Sequence, residues 1–102
     1  MIYLKNVIEE YPECLENSEK LKMHLNYLYP SEKAKTNIIV TIFDSGIANE
    51  IKKLSSIDEK TILFFCDKLE NEYGYSREFS KECLNIWVYA YNKKIIRIKV
   101  LT

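Results

Sequence analysis

Three cysteines and a single histidine are the side chains of this 102-residue chain best suited to chemistry. Cys14, His24, Cys66 and Cys83 add up to the donor set of a Cys₃His zinc site, and a thiolate beside an imidazole would make an acyl-transfer nucleophile. Spacing argues against both readings. Structural zinc draws its ligands in close pairs such as C-x₂₋₄-C, and here every donor stands alone. A nucleophilic Cys66 or Cys83 would need His24 carried to it across the fold, and both cysteines fall on expected inner helix faces, where a thiol behaves as a small apolar group. His24 itself lies beside Leu21, Leu25 and Leu28, the position of a half-buried histidine at the edge of a core. The acidic side chains fall mostly on outward helix faces. Two isolated glycines, Gly46 and Gly74, cannot build a phosphate-cradling loop. The expectation is a non-enzymatic chain with no catalytic residue, no metal and no cofactor.

Aromatic and basic residues are better candidates, and their chemistry is recognition. Four of the eight tyrosines, Tyr73, Tyr75, Tyr89 and Tyr91, cluster late in the chain. Surface tyrosine supplies contact area at low entropic cost, although ring-in, hydroxyl-out boundary tyrosines are also common in small helical domains. Residues 1–92 carry 15 acids and 11 bases, whereas residues 93–102 carry Lys93, Lys94, Arg97 and Lys99 and no acid. In that basic tail Ile96-Arg97-Ile98-Lys99-Val100 alternates apolar and basic residues, the period of a half-buried strand. A strand over 95–101 has three routes to a partner: the chain start at Ile2-Tyr3-Leu4, its twin in a homodimer, or the sheet edge of another protein. The expected interaction residues are Tyr75, Tyr89, Tyr91, Lys93, Lys94, Arg97, Ile98 and Lys99. The alternative reading sets the four basic residues on phosphates, as a small nucleic-acid-associated regulator. A formal net charge of zero makes nucleic acid the weaker choice of partner.

The elements that must carry these residues read as helices. Leu4, Val7, Ile8 and Tyr11 share one face of a helix over 2–11, which Pro12 ends. Residues 13–17 form a connector with room for one turn. Leu21, Leu25, Leu28 and Tyr29 mark a helix over 18–29, stopped by Pro30, and Ser31-Glu32 opens the next as N-cap and first-turn acid. The stretch KAKTNIIVTIFDSG has strand-forming residues, yet Ala34, Ile38, Ile39, Ile42 and Phe43 make a wide helical face and Gly46 stands where a helix would close. A short helix over 47–54 aligns Ile47, Ile51 and Leu54. Asp58 caps a helix running to Tyr73, with Ile57 and Ile62 as hydrophobic staple and an inner stripe of Ile62, Phe65, Cys66, Leu69 and Tyr73. Gly74 supplies its left-handed end, which leaves Tyr75 exposed. Ser76 caps a last helix to Tyr91 with Phe79, Cys83, Ile86, Trp87 and Ala90 inward. A hairpin of LNIWVYAY with IIRIKVL is the rival reading of this end, and the helical face downstream of a cap is preferred to it.

The stretches VIEEYPECLEN, KLKMHLNYLYP, TNIIVTIFDSGI and LENEYGYSREFSKECLNIWVYAY follow one another in an order that resembles a small helical module of bacterial proteins. Its marks are Pro after the second helix, Gly-Ile after the third, and Tyr-Gly with a Ser cap before a helix containing Trp. Such modules are usually appended to signalling or chaperone-type proteins. The resemblance spans residues 7–91, implies an all-helical body and assigns no ligand or catalytic residue. The basic tail lies outside it.

Composition sets the frame. With 47% apolar and 29% charged residues and only two Gly and two Pro, the chain is globular and too poor in turn residues for a β-sandwich or barrel. The expected architecture is all-α: a compact bundle of about six helices over 1–92, followed by a strand-like tail over 93–102. MIYLKNVIEE is charged within five residues and no apolar run nears 18, so neither a secretory leader nor a membrane span is expected. Three cysteines, odd in number and without a C-x-x-C, fit reduced thiols in a cytoplasmic protein. The expected function is a protein–protein interaction or regulatory module, self-associating through its tail.

Overall fold

Among the described residues, the hydrophobic stripes and breakers resolve into six α-helices and two short strands. The computed structural model describes residues 1–96, and side chains through Lys93. Helix α1 (Leu4–Glu10) is followed by a 3₁₀ turn (Pro12–Leu15) in which Pro12 occupies the first turn, where its missing N–H costs nothing. Helix α2 (Ser18–Leu28) begins at Asn17, whose side chain accepts from the Lys20 N–H at 2.9 Å. Helix α3 (Lys33–Asp44) takes the ambiguous Ile-rich segment, so the helical period prevails over strand propensity there. Gly46, at φ +88°, makes the corner into α4 (Ile47–Lys53). Strand β1 (Ser56–Asp58) leads into α5 (Glu59–Tyr73), and α6 (Arg77–Ala90) is followed by β2 (Lys94–Ile96).

Helix α6 is the spine. It packs against α5, α1, α3 and α4, and Cys83, Leu84, Trp87 and Val88 are buried along it. The Trp87 indole N–H donates to the Ile39 carbonyl on α3 at 3.1 Å, and its ring stacks on Phe43 at 6.0 Å. Being enclosed on several sides widens the buried face beyond the single stripe read from the sequence. Leu84, Val88 and Ser80 are buried, whereas Ile86 is half-buried and Phe79 is exposed under the Lys35 ammonium at 5.4 Å. The inner faces of the other helices are likewise shifted. Leu28, Ala34 and Leu54 are exposed, and Thr36 is buried in α3.

Two helix starts show how local polar groups decide boundaries. Asp58 accepts from the Thr61 N–H at 2.8 Å and the Thr61 hydroxyl at 2.7 Å, closing the first turn of α5 as expected. Ser31 does not cap α3. The helix begins two residues later with Glu32 in the cap position and no side-chain cap bond. The Glu32 carboxylate is drawn instead to the chain's amino group at 3.5 Å and to Lys35 at 3.7 Å.

The corner YGYS inverts the sequence expectation. Gly74 is left-handed at φ +73° and its N–H returns to the Glu70 carbonyl at 3.0 Å. The chain thereby folds back, and Tyr75, expected to be exposed, is half-buried against the core with its hydroxyl 2.8 Å from Thr41 Oγ1. Tyr73, expected to face inward, is 46% exposed and stacks on Tyr75 at 6.1 Å. The last turn of α5 outruns the body it would have packed on.

The tail strand finds its partner inside the chain. Strand β2 pairs in parallel with β1 in the register Ser56↔Lys94, Ile57↔Ile95, Asp58↔Ile96. The α5–α6 hairpin is the crossover that a parallel pair requires. Neither the chain start nor another molecule is needed to pair the described part of this strand. Residues 97–101 of the expected strand lie outside the described residues.

Two measurements test this account. Trp87→Ala is expected to destabilise the domain by about 3–5 kcal/mol in denaturant unfolding, and Trp87→Phe, which keeps most of the ring but no donor, by about 1–3 kcal/mol. Hydrogen bonds from Thr61 hold the Asp58 carboxyl below its ordinary pKa. Its contribution is therefore present above the unfolded carboxyl pKa and lost as pH falls through the lower folded value. Asp58→Ala should lower the melting temperature at pH 7 but have little effect once both forms are protonated, near about pH 2.

Candidate functional site

Recognition needs apolar area that the fold leaves uncovered, and α6 supplies one such place. Residues 1–4 run along it with a period of two: Ile2 and Leu4 are buried, and Tyr3 between them is 52% exposed. The Tyr3 N–H donates to the Tyr29 hydroxyl at 3.1 Å, which holds this segment down. Between it and α6 opens a groove of about 370 Å³, lined chiefly by Met1, Tyr3, Asn85, Ile86 and Tyr89. Tyr89 is 63% exposed at its edge, and the Lys5 ammonium lies over its ring at 5.4 Å. Glu82 gives the groove an acid, itself paired with Lys35 at 3.0 Å.

Among the described residues, the expected interaction residues do not form one patch. Tyr89 is exposed and at the groove. Tyr91 is half-buried, its ring 5.4 Å from Trp87, and burial raises its hydroxyl pKa. Tyr75 is spent on the Thr41 contact. Lys93 is half-buried, with its N–H bonded to the Val88 carbonyl at 3.0 Å, in a turn where Asn92 takes φ +56°. Lys94 belongs to β2 through its backbone. Arg97, Ile98 and Lys99 lie outside the described residues.

A second groove was missed from the sequence. It lies between the end of α1 and the outer face of α2, about 290 Å³ in volume, and is lined by Tyr11, Met23, His24, Tyr27 and Leu28. Met23 and Tyr27 are 60% and 82% exposed. They stand one turn apart and off the Leu21–Leu25 stripe, a spacing that carried the signal. At its rim the Glu10 carboxylate, with burial, Tyr27 and Glu13, holds the Tyr11 phenol above its usual pKa. A further recess, lined by Leu54, Phe64 and Phe65 together with Glu50, Lys53 and Thr61, lies between α4 and α5.

His24 occupies the core-edge position expected of it. Its Nδ1–H donates to the Lys20 carbonyl at 2.8 Å, its Nε2 lies 3.6 Å from Glu13, and its ring sits 4.9 Å from that of Tyr11. No group of three or more His, Cys, Asp or Glu side chains suited to a metal occurs among the described residues. No helix among them is long and apolar enough to cross a membrane.

What the fold and surface define is an all-α bundle with apolar grooves on its outside. No family model, curated protein or solved structure matches the chain.

All three cysteines are free and buried. Burial, with Glu82 beside it, pushes the Cys83 thiol up to about 12, and burial also raises Cys14 and Cys66. Since the thiolate is the reactive form, a colorimetric disulfide reagent at pH 8 should label the folded protein slowly. All three thiols should react promptly in denaturant. Prompt labelling of one thiol in the folded protein would contradict this burial.

Proposed function

We propose that this chain is a non-enzymatic protein-interaction domain that docks a partner protein, or a second copy of itself, through its last helix and its basic tail. The observation that carries the reading is the groove beside Tyr89. There, three large side chains (Met1 at 74%, Tyr3 at 52% and Tyr89 at 63% exposure) stand together on a surface fixed by buried neighbours. Single exposed apolar residues are ordinary, but aromatic residues gathered around a concave apolar surface are the makings of an interface centre. The backing is buried in the core. Ile2 and Leu4 anchor one wall, and Leu84 and Val88 anchor the other. A preformed groove loses little conformational entropy on binding. The sequence adds a tail with four basic residues and no acid after Asn92, attached to a body of opposite net sign. Such a charge division favours oriented association between protein surfaces.

The test is a photo-crosslinking amino acid placed at position 89 in cells, with the exposed position 72 on α5 as control. A discrete protein adduct, of a partner or of the chain itself, is expected from position 89 and not from position 72. Truncation after Ile96 should keep the helical circular dichroism and weaken the adduct. Equal labelling at the two positions would remove the reading.

A further inference from the structure

The second groove, against Tyr11, Met23, Tyr27 and Leu28, is chemically unlike the first. Its lining is almost wholly apolar, and two carboxylates stand beside its lining residues: Glu10 beside the Tyr11 phenol, and Glu13 at 3.6 Å from the His24 ring. The nearby Lys20 ammonium is already occupied by Glu16 at 2.9 Å. An occupant must therefore bring apolar side chains for the floor and positive charge for the rim. The chain contains such a segment, Arg97-Ile98-Lys99-Val100, and it lies outside the described residues.

The spacings also agree. In an extended segment alternate side chains are about 6.6 Å apart, and Met23 and Tyr27, one turn apart on α2, are separated by about 6 Å along the helix. Ile98 and Val100 can thus meet the two exposed side chains of the groove while Arg97 and Lys99 turn toward the rim. Resting on the interaction reading above, we propose that this groove receives residues 97–100 of a second copy of the chain. The two copies exchange tails about a two-fold axis, so that both grooves and both tails are used. Acidic rim and basic tail set the register, and the apolar contacts supply the affinity.

Charge reversal on separate chains tests this. One variant carries Arg97→Glu and Lys99→Glu, and the other carries Glu10→Lys and Glu13→Lys. All four positions leave the described core intact, which circular dichroism verifies. The wild type should sediment as a dimer, and each variant alone should dissociate with a dimer constant weakened by about tenfold or more. An equimolar mixture of the two variants should recover the dimer, because every tail then meets a groove of opposite charge. A wild type that stays monomeric at about 100 μM overturns the proposal together with self-association, but leaves capture of another protein at Tyr89 standing. A dimer indifferent to both reversals overturns the groove assignment alone. Rescue when the four substitutions share one chain, without rescue in the mixture, means that the tail docks on its own body, and that also overturns the exchange.

Discussion

The bond from the Trp87 indole to the Ile39 carbonyl is the constraint around which the domain is arranged. An indole N–H taken into an apolar core must find an acceptor, and this one reaches across the α3–α6 contact to do so. That fixes the rotation of α6 about its axis. Once Trp87 faces α3, Leu84 and Val88 are carried to the sides that other helices cover, and Asn85, Ile86 and Tyr89 to the flank beside residues 1–4. The placement of the first groove thus follows from a single buried polar satisfaction. A rotation of one residue would expose Val88 and bury Tyr89.

Polar groups elsewhere are handled locally, at helix ends. Asn17, Asp58 and Ser76 each accept from the N–H three residues on, and Gly46 and Gly74 make corners that a side chain would strain. The Arg77 guanidinium clamps the α5–α6 corner through Asp67 at 2.7 Å. Two buried hydroxyls, Thr36 Oγ1 and Ser80 Oγ, have no hydrogen-bond partner among the described residues. Each is the fourth residue of its helix, and both helices belong to the packing that Trp87 orders. They are sites where close packing has been kept at the expense of polar satisfaction.

How far this was legible in the sequence depends on the range of the interaction concerned. Periodicity and breakers gave the six helices because both act within a few residues, and Asp58, Gly74 and Ser76 do what their positions implied. Tyr73 and Tyr75 exchanged roles because the deciding contact, Tyr75 to Thr41, joins residues 34 apart in the chain. Ser31 lost the cap of α3 to Glu32, whose carboxylate has partners that only the folded chain assembles. The three residues of β1 looked like the lead into a capped helix. Their other role, pairing with β2, depends on a hairpin that brings together segments far apart in sequence. The groove against Met23 and Tyr27 was readable in principle, from two large apolar side chains placed off their helix's inner stripe. The groove beside Tyr89 was only half readable, since one of its walls is the beginning of the chain.

The parallel pair explains why the tail's origin is a fixed point. Two strands of three residues are not stable by themselves in water. They hold because Ile57 is buried and because Asp58 ends β1 by opening α5, so the strand and the helix cap share one residue. Ile96 is therefore held on the body opposite Asp58. A tethered segment meets its target at a concentration set by its anchor, and a strand anchor restricts that search more than a loose end would. Charge then discriminates between the grooves. The one beside Tyr89 already holds an ammonium over its aromatic ring, and its acid is paired with Lys35. The one beside Tyr27 has carboxylates at its rim. Charge complementarity therefore favours the second groove over the first for a basic, alternating segment.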